Sequence, residues 1–286
     1  TFVVVGDNGV LLTSSNGTVW ERKDDGFSES DYVNLNGVTF GNGTFVVVGD
    51  NGVLLTSSNG TSWDSRTSGT SVKLNGVTFG NGTFVAVGDI DYYTYYAAVV
   101  SSQDGGASWN GATTSYVPTT LNDVAFGNGN FMVVGNYGYI LTSPDASYWQ
   151  DKTDPDATSQ NLHGVSYGGG SFVAVGSGTI IDSSDGGDSW ENRQAAEVTS
   201  SYLNGVTYAN NTFVAVGYDM SSEHEQGLIL TSSNAVSSTN ESTQLALYNL
   251  DDDFPEDVTV SVSSSNTAEA TVDTATLSFT PDNWMN

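Results

Sequence analysis

The sequence predicts an all-β chain built as a propeller of four-stranded blades, on three observations. Five tryptophans, Trp20, Trp63, Trp109, Trp149 and Trp190, recur at spacings of 43, 46, 40 and 41 residues. A marker of the form F-x-V-V/A-V-G begins at Phe2, Phe45, Phe84, Phe131, Phe172 and Phe213. A third marker, L-N-G-V-T-F-like, begins at Leu35, Leu74, Leu121, Leu162 and Leu203. A period of about 40 residues with four strand-like pieces is the signature of a propeller blade.

Each unit justifies its strands in order. "LNGVTF" is strand A and "TFVVVG" is strand B, joined by Gly-Asn-Gly, a turn that needs positive φ and closes a tight hairpin. Strand B is apolar at nearly every residue, which predicts burial on both faces between neighbouring blades. "VLLTSS" is strand C, and the segment from the tryptophan onward is strand D. Between C and D lies a short polar turn ending in Trp, whose Ser and Asp/Asn side chains are suited to bond backbone N–H groups. Its Trp is expected to pack back into the blade or onto the next one and to be buried.

These turns carry a resemblance. Ser102-Asp104-Gly106-Trp109 and Ser183-Asp185-Gly187-Trp190 match S-x-D-x-G-x-x-W in full. The other three boxes are one residue shorter, with Asn16, Asn59 and Asp145 at the acidic position. The sequence thus resembles the Asp-box (BNR) β-propeller family from residue 1 to about 234. The resemblance implies the fold and leaves function open, because sialidases, photosystem-assembly propellers and many surface proteins share it.

The first repeat has B, C and D, and the sixth has A, B and C, giving 22 strands where a six-bladed ring needs 24. Six blades are favoured on that count, and seven remain if more sequence lies upstream. After about residue 240 the repeat stops, and the remaining segment alternates as strands with acidic turns. It resembles a Calx-β-type sandwich, only partly present. The expected division is therefore a propeller over 1–238 and a partial sandwich over 239–286. The incomplete ends are expected to be completed by the same polypeptide, or by neighbouring copies in an open filament.

Composition narrows function. Lys and Arg number 6 against 33 Asp and Glu, for a net charge of -27, which disfavours nucleic acid and anionic membrane surfaces. The absence of cysteine excludes disulfides and thiolate chemistry. No apolar run approaches the roughly 18 residues of a membrane span. The chain begins at Thr1 without Met, which reads as a mature form or a fragment.

Resemblance to sialidases would require three converging arginines. The three present, Arg22, Arg66 and Arg193, each follow a box Trp on strand D, so repeat symmetry spreads them around the rim. His163 stands where other repeats have Asn, and His224 lies in an acidic loop. Neither makes a transition-metal site. Asp251, Asp252 and Asp253, with Glu256 and Asp257, read either as a Ca²⁺ site or as a solvated acidic turn.

Chain direction places the A–B turns and boxes on one face, and the B–C and D–A connections on the other. The second face carries the length variation, including "DIDYYTYYAAVV" at 89–100. There Tyr92, Tyr93, Tyr95 and Tyr96 form either a contact patch or an extended hairpin packing its own tyrosines. The sequence as a whole reads as part of a secreted or cell-surface bacterial protein. The leading function is a non-catalytic adhesion or structural module with protein, glycan or self-assembly partners. A glycan-acting hydrolase is the alternative.

Overall fold

The computed structural model describes residues 1–23, 33–111, 117–193, 198–219, 226–233, 258–260 and 277–279. The chain divides into two units, Thr1–Tyr248 and Asn249–Asn286. The first is a six-bladed propeller. Blade 1 has three strands, Phe2–Gly6, Val10–Ser14 and Glu21–Arg22. Blade 2 pairs Leu35–Gly41, Thr44–Gly49, Leu54–Ser57 and Asp64–Ser65 in chain order. Blades 3, 4 and 5 repeat that order, with strands A at Leu74–Gly80, Leu121–Gly127 and Leu162–Gly168. Blade 6 is Ser201–Ala209, Thr212–Asp219 and Gln226–Ser233.

Successive A strands lie side by side, so they form the inner ring. Every D strand in blades 1 to 5 is two residues long and forms the outer rim. Asn42-Gly43, Asn81-Gly82 and Asn128-Gly129 all take positive φ, as the hairpin chemistry of the A–B turns requires. Val46, Val47 and Val48 are fully buried, as are Phe84, Val85, Ala86 and Val87. Burial of each such valine contributes about 2 kcal/mol, so the B strands dominate the core.

Two devices join neighbouring blades. The first is an asparagine clamp at the second residue of strand A. Asn75 Nδ2 donates to Asp89 Oδ1 of its own blade (3.0 Å) and to the Leu121 carbonyl of the next (2.9 Å). Asn36 and Asn122 repeat this toward Leu74 and Leu162. The second is a glycine at the end of strand A that receives the next blade's aromatic ring. A Cβ on Gly80 would stand 2.0 Å from the Phe126 ring, and Gly41, Gly127 and Gly168 meet Phe79, Tyr167 and Tyr208 in the same way.

In the second unit the described residues form one antiparallel pair, Val258–Val260 with Leu277–Phe279. Of the expected Calx-β-like sandwich the described residues hold that one pair, and the rest of the expectation lies outside them.

Candidate partner-binding face

The Asp-boxes are turn staples. Ser102 Oγ accepts the Gly106 N–H (3.0 Å) and donates to Asp104 Oδ1 (2.8 Å). Asp104 then accepts the Ser108 N–H (2.9 Å) and hydroxyl (2.5 Å). The Ser108 hydroxyl is the main cause that holds the Asp104 carboxyl down at about 2. The same contacts lower Asp185. The shorter boxes close one residue earlier: Asn59 Oδ1 accepts from the Thr61 and Ser62 N–H groups. Asn16 and Asp145 make the equivalent bonds.

Trp63, Trp109 and Trp149 each end an aromatic ladder. In blade 3, Phe79 packs on Phe84 at 4.6 Å between centroids, and Phe84 on Trp109 at 6.2 Å. Trp109 shares a core with Val46 and Val48 of blade 2, so the box seals a blade against the preceding one. Trp149 and Trp190 are buried likewise against blades 3 and 4. Two expectations need correcting. Trp63 is only half-buried, against blade 1, where it shares a core with Val5 and Leu11. Trp20 is 39% exposed, because no preceding blade packs on it among the described residues.

The arginines sit where repeat symmetry predicts. Arg22 lies on strand D of blade 1, and Arg66 and Arg193 directly follow strand D of blades 2 and 5. Arg66 pairs with Asp64, and Arg193 with Asp182 and Glu191. They do not converge. Among the described residues no three His, Cys, Asp or Glu are grouped to hold a metal ion. His224 and the cluster Asp251, Asp252, Asp253, Glu256 and Asp257 lie outside the described residues.

His163 replaces the clamp asparagine in blade 5. Its Nε2 lies 3.0 Å from Ser177 Oγ, and its ring stacks on Tyr202 at 4.3 Å, with Tyr202 stacked in turn on Tyr218. Burial lowers its pKa.

Sequence reading missed Asp123, although the signal was present as the Asp of "LND" where the other repeats have Gly. Asp123 is half-buried on the inner ring beside Gly76. Its carboxylate accepts the Val124 N–H (2.8 Å) and, across the blade seam, the Val165 N–H (2.9 Å). Removal from water outweighs both bonds and pushes the carboxyl up to about 6. A raised folded-state pKa means the native state binds the extra proton between about pH 4 and pH 6, so stability falls as pH rises through that window. Asp123→Gly is expected to remove that decline, on the order of 1–3 kcal/mol, when urea unfolding of variant and parent is compared at pH 4 and pH 6. An unchanged slope would show that Asp123 is not the group responsible. The box carboxylates act in the opposite sense: their contribution is present above about pH 4 and is lost as pH falls toward 2.

The B–C and D–A face holds a cluster of exposed tyrosines. Tyr92, Tyr93, Tyr95 and Tyr96 are between 44% and 89% exposed. Their loop is ordered: Asp91 Oδ1 accepts the N–H groups of Tyr93 (2.8 Å) and Thr94 (2.9 Å), and Asp91 and Tyr96 pair through their backbones. Tyr92 meets Tyr93 edge-on at 5.8 Å and Tyr95 at 6.2 Å. Beside the loop is a groove of about 520 Å³, lined by Gly52, Arg66, Ser68, Thr70, Ser71 and Asp91 among others. B–C and D–A segments thus meet on this face, as chain direction predicts.

With the geometry in place, comparison with known proteins assigns the family. The family described as Photosynthesis system II assembly factor YCF48 matches residues 1–170. Among solved structures, "YCF48 bound to D1 peptide" is similar at 19% identity and a TM-score of 0.59, over 80% of this chain and 73% of that one. YCF48 from Cyanidioschyzon merolae is similar at 16% identity and a TM-score of 0.55, over 74% and 71%. The structure of YjhT is similar at 12% identity and a TM-score of 0.50, over 74% and 85%. At these identities the structures support the fold alone. No curated protein sequence matches the chain.

The family match bears out the non-enzymatic expectation and overturns several others. An adhesion or structural module of the cell surface, glycan or self-assembly partners, a filament and an extracellular location do not fit a family of photosystem II assembly factors. The glycan hydrolase alternative falls with them. The chain belongs to the YCF48 family of photosystem II assembly factors, with a BNR-like β-propeller fold.

Proposed function

We propose that this chain is a non-catalytic assembly factor: a rigid propeller that holds a segment of a client protein while a larger complex is built. The family match over residues 1–170 carries this reading. The fold suits it, because repeated inter-blade clamps fix a frame whose variable loops project from one face. A YCF48 structure with a bound D1 peptide indicates that a propeller of this kind takes a peptide ligand. In this reading residues 1–238 are the client-holding propeller, and residues 239–286 are a separate segment.

The test is direct binding. Labelled D1 peptides titrated with residues 1–286 are expected to give saturable binding by fluorescence anisotropy. Excess unlabelled peptide is expected to reverse it. No saturable binding by any D1 peptide would reject D1 as the client.

A further inference from the structure

We propose that the tyrosine loop at Tyr92–Tyr96 and the groove beside it form a docking surface for a lysine- or arginine-bearing segment of a client protein. This rests on the assembly-factor reading and names the chemistry of its partner. The aromatic side chains are presented rather than buried. Tyr95 holds a φ of 60° and Tyr137, in the corresponding turn of the adjacent blade, also holds 60°. Asn8 and Asn51 occupy Tyr137's position in blades 1 and 2. A bulky residue in the left-handed region is strained, and at Tyr137 an asparagine would reduce that strain. Tyr137 is nonetheless exposed on the same face as the loop.

Charge selects the occupant. Tyrosine faces attract cations through the ring quadrupole. Asp91 lies at the root of the loop and lines the groove. Backbone N–H groups of Thr94 and Tyr93 hold its carboxyl below the usual range, so it is ionised at neutral pH. Asp89 lies two residues before it. Arg66, the cation in the groove, is met by Asp64 (3.0 Å) and by Thr56 Oγ1 (2.9 Å). Four of the six Lys and Arg side chains, Lys23, Arg66, Lys152 and Arg193, are paired with carboxylates of this chain. An acidic segment would meet repulsion from a net charge of -27, whereas a basic one is steered in. The hydroxyls of Ser68, Thr70 and Ser71 on the groove wall suit the main chain of an extended ligand.

The experiment uses residues 1–286 and two fluorescein-labelled heptapeptides, one alternating Gly with Arg and one alternating Gly with Glu. The Arg peptide is expected to bind, and the Glu peptide to bind at least about tenfold more weakly. Tyr92→Ala with Tyr93→Ala is expected to weaken the Arg peptide about tenfold, consistent with two cation–π contacts. Tyr92→Phe with Tyr93→Phe should keep most of the affinity, because the ring faces remain. Tyr148→Ala, an exposed tyrosine in a box on the opposite face, should change nothing. Equal binding of both peptides would overturn the proposal. So would Arg-peptide binding that is indifferent to the tyrosines, which would reduce it to diffuse attraction by a polyanion. If a D1 peptide binds equally to parent and double alanine variant, the assembly-factor reading stands and this surface falls. If no D1 peptide binds but the Arg peptide does so through the tyrosines, the surface stands and D1 as client falls.

Discussion

Trp109→Ala is expected to destabilise the propeller by about 3–5 kcal/mol, the range for removing a buried large aromatic. Trp109 is 7% exposed, closes the ladder that starts at Phe79, and packs against Val46 and Val48 of the preceding blade. Its indole N–H also donates to the Gly106 carbonyl at 3.0 Å, so truncation removes a turn bond along with the packing. The same change at Trp20 is expected to cost less than about half as much, because that ring is 39% exposed and meets no preceding blade among the described residues. Thermal and urea unfolding of the two variants side by side would measure the contrast. Equal losses would mean that the Trp works within its own turn rather than between blades.

Gly80→Ala is the second large effect, expected at about 2–3 kcal/mol despite adding a single methyl group. The added Cβ would lie 2.0 Å from the Phe126 ring, far inside van der Waals contact, so the ring or the strand must move. Phe126 in turn packs on Phe131 at 4.8 Å, and Phe131 on Trp149, so any shift propagates along the ladder of blade 4. Gly82→Ala, two residues away, meets nothing within 4 Å and serves as a partial control. Its positive φ of 77° still costs about 1 kcal/mol. Equal unfolding midpoints for the two variants would mean that the seam is plastic.

Much of the fold was legible because blades repeat. The Gly-Asn-Gly turns, the all-apolar B strands and the box spacing each report local physics, and the structure places them as read. The joints between blades were less legible. The clamp asparagine at Asn75 is an unremarkable polar residue in sequence, and its role depends on the Leu121 carbonyl 46 positions away. Asp123 was visible as a departure from the repeat, yet its raised pKa arises from how three blades crowd the inner ring. His163 was noted as a repeat variant, but its stack on Tyr202 needed the neighbouring blade. Function was legible least, because boxes and ladders serve the scaffold and are shared across unrelated activities. The tyrosine loop could be read as a contact patch or as a hairpin packing its own tyrosines, and in the structure its rings are exposed while Tyr92 also meets Tyr93 and Tyr95.

The asparagine clamp has a further meaning for the loop that follows Asp89. Asn75 grips Asp89 and the next blade's backbone at once, so the root of the Tyr92–Tyr96 segment is tied to two sheets before any ligand arrives. A loop whose root is already fixed has less backbone freedom left to lose on association, which would otherwise cost about 1–2 kcal/mol for each residue ordered. The asparagine clamps thus do more than hold blades together. In the docking proposed for this loop, they settle in advance, during folding, part of the entropy that a loosely hinged loop would surrender on association.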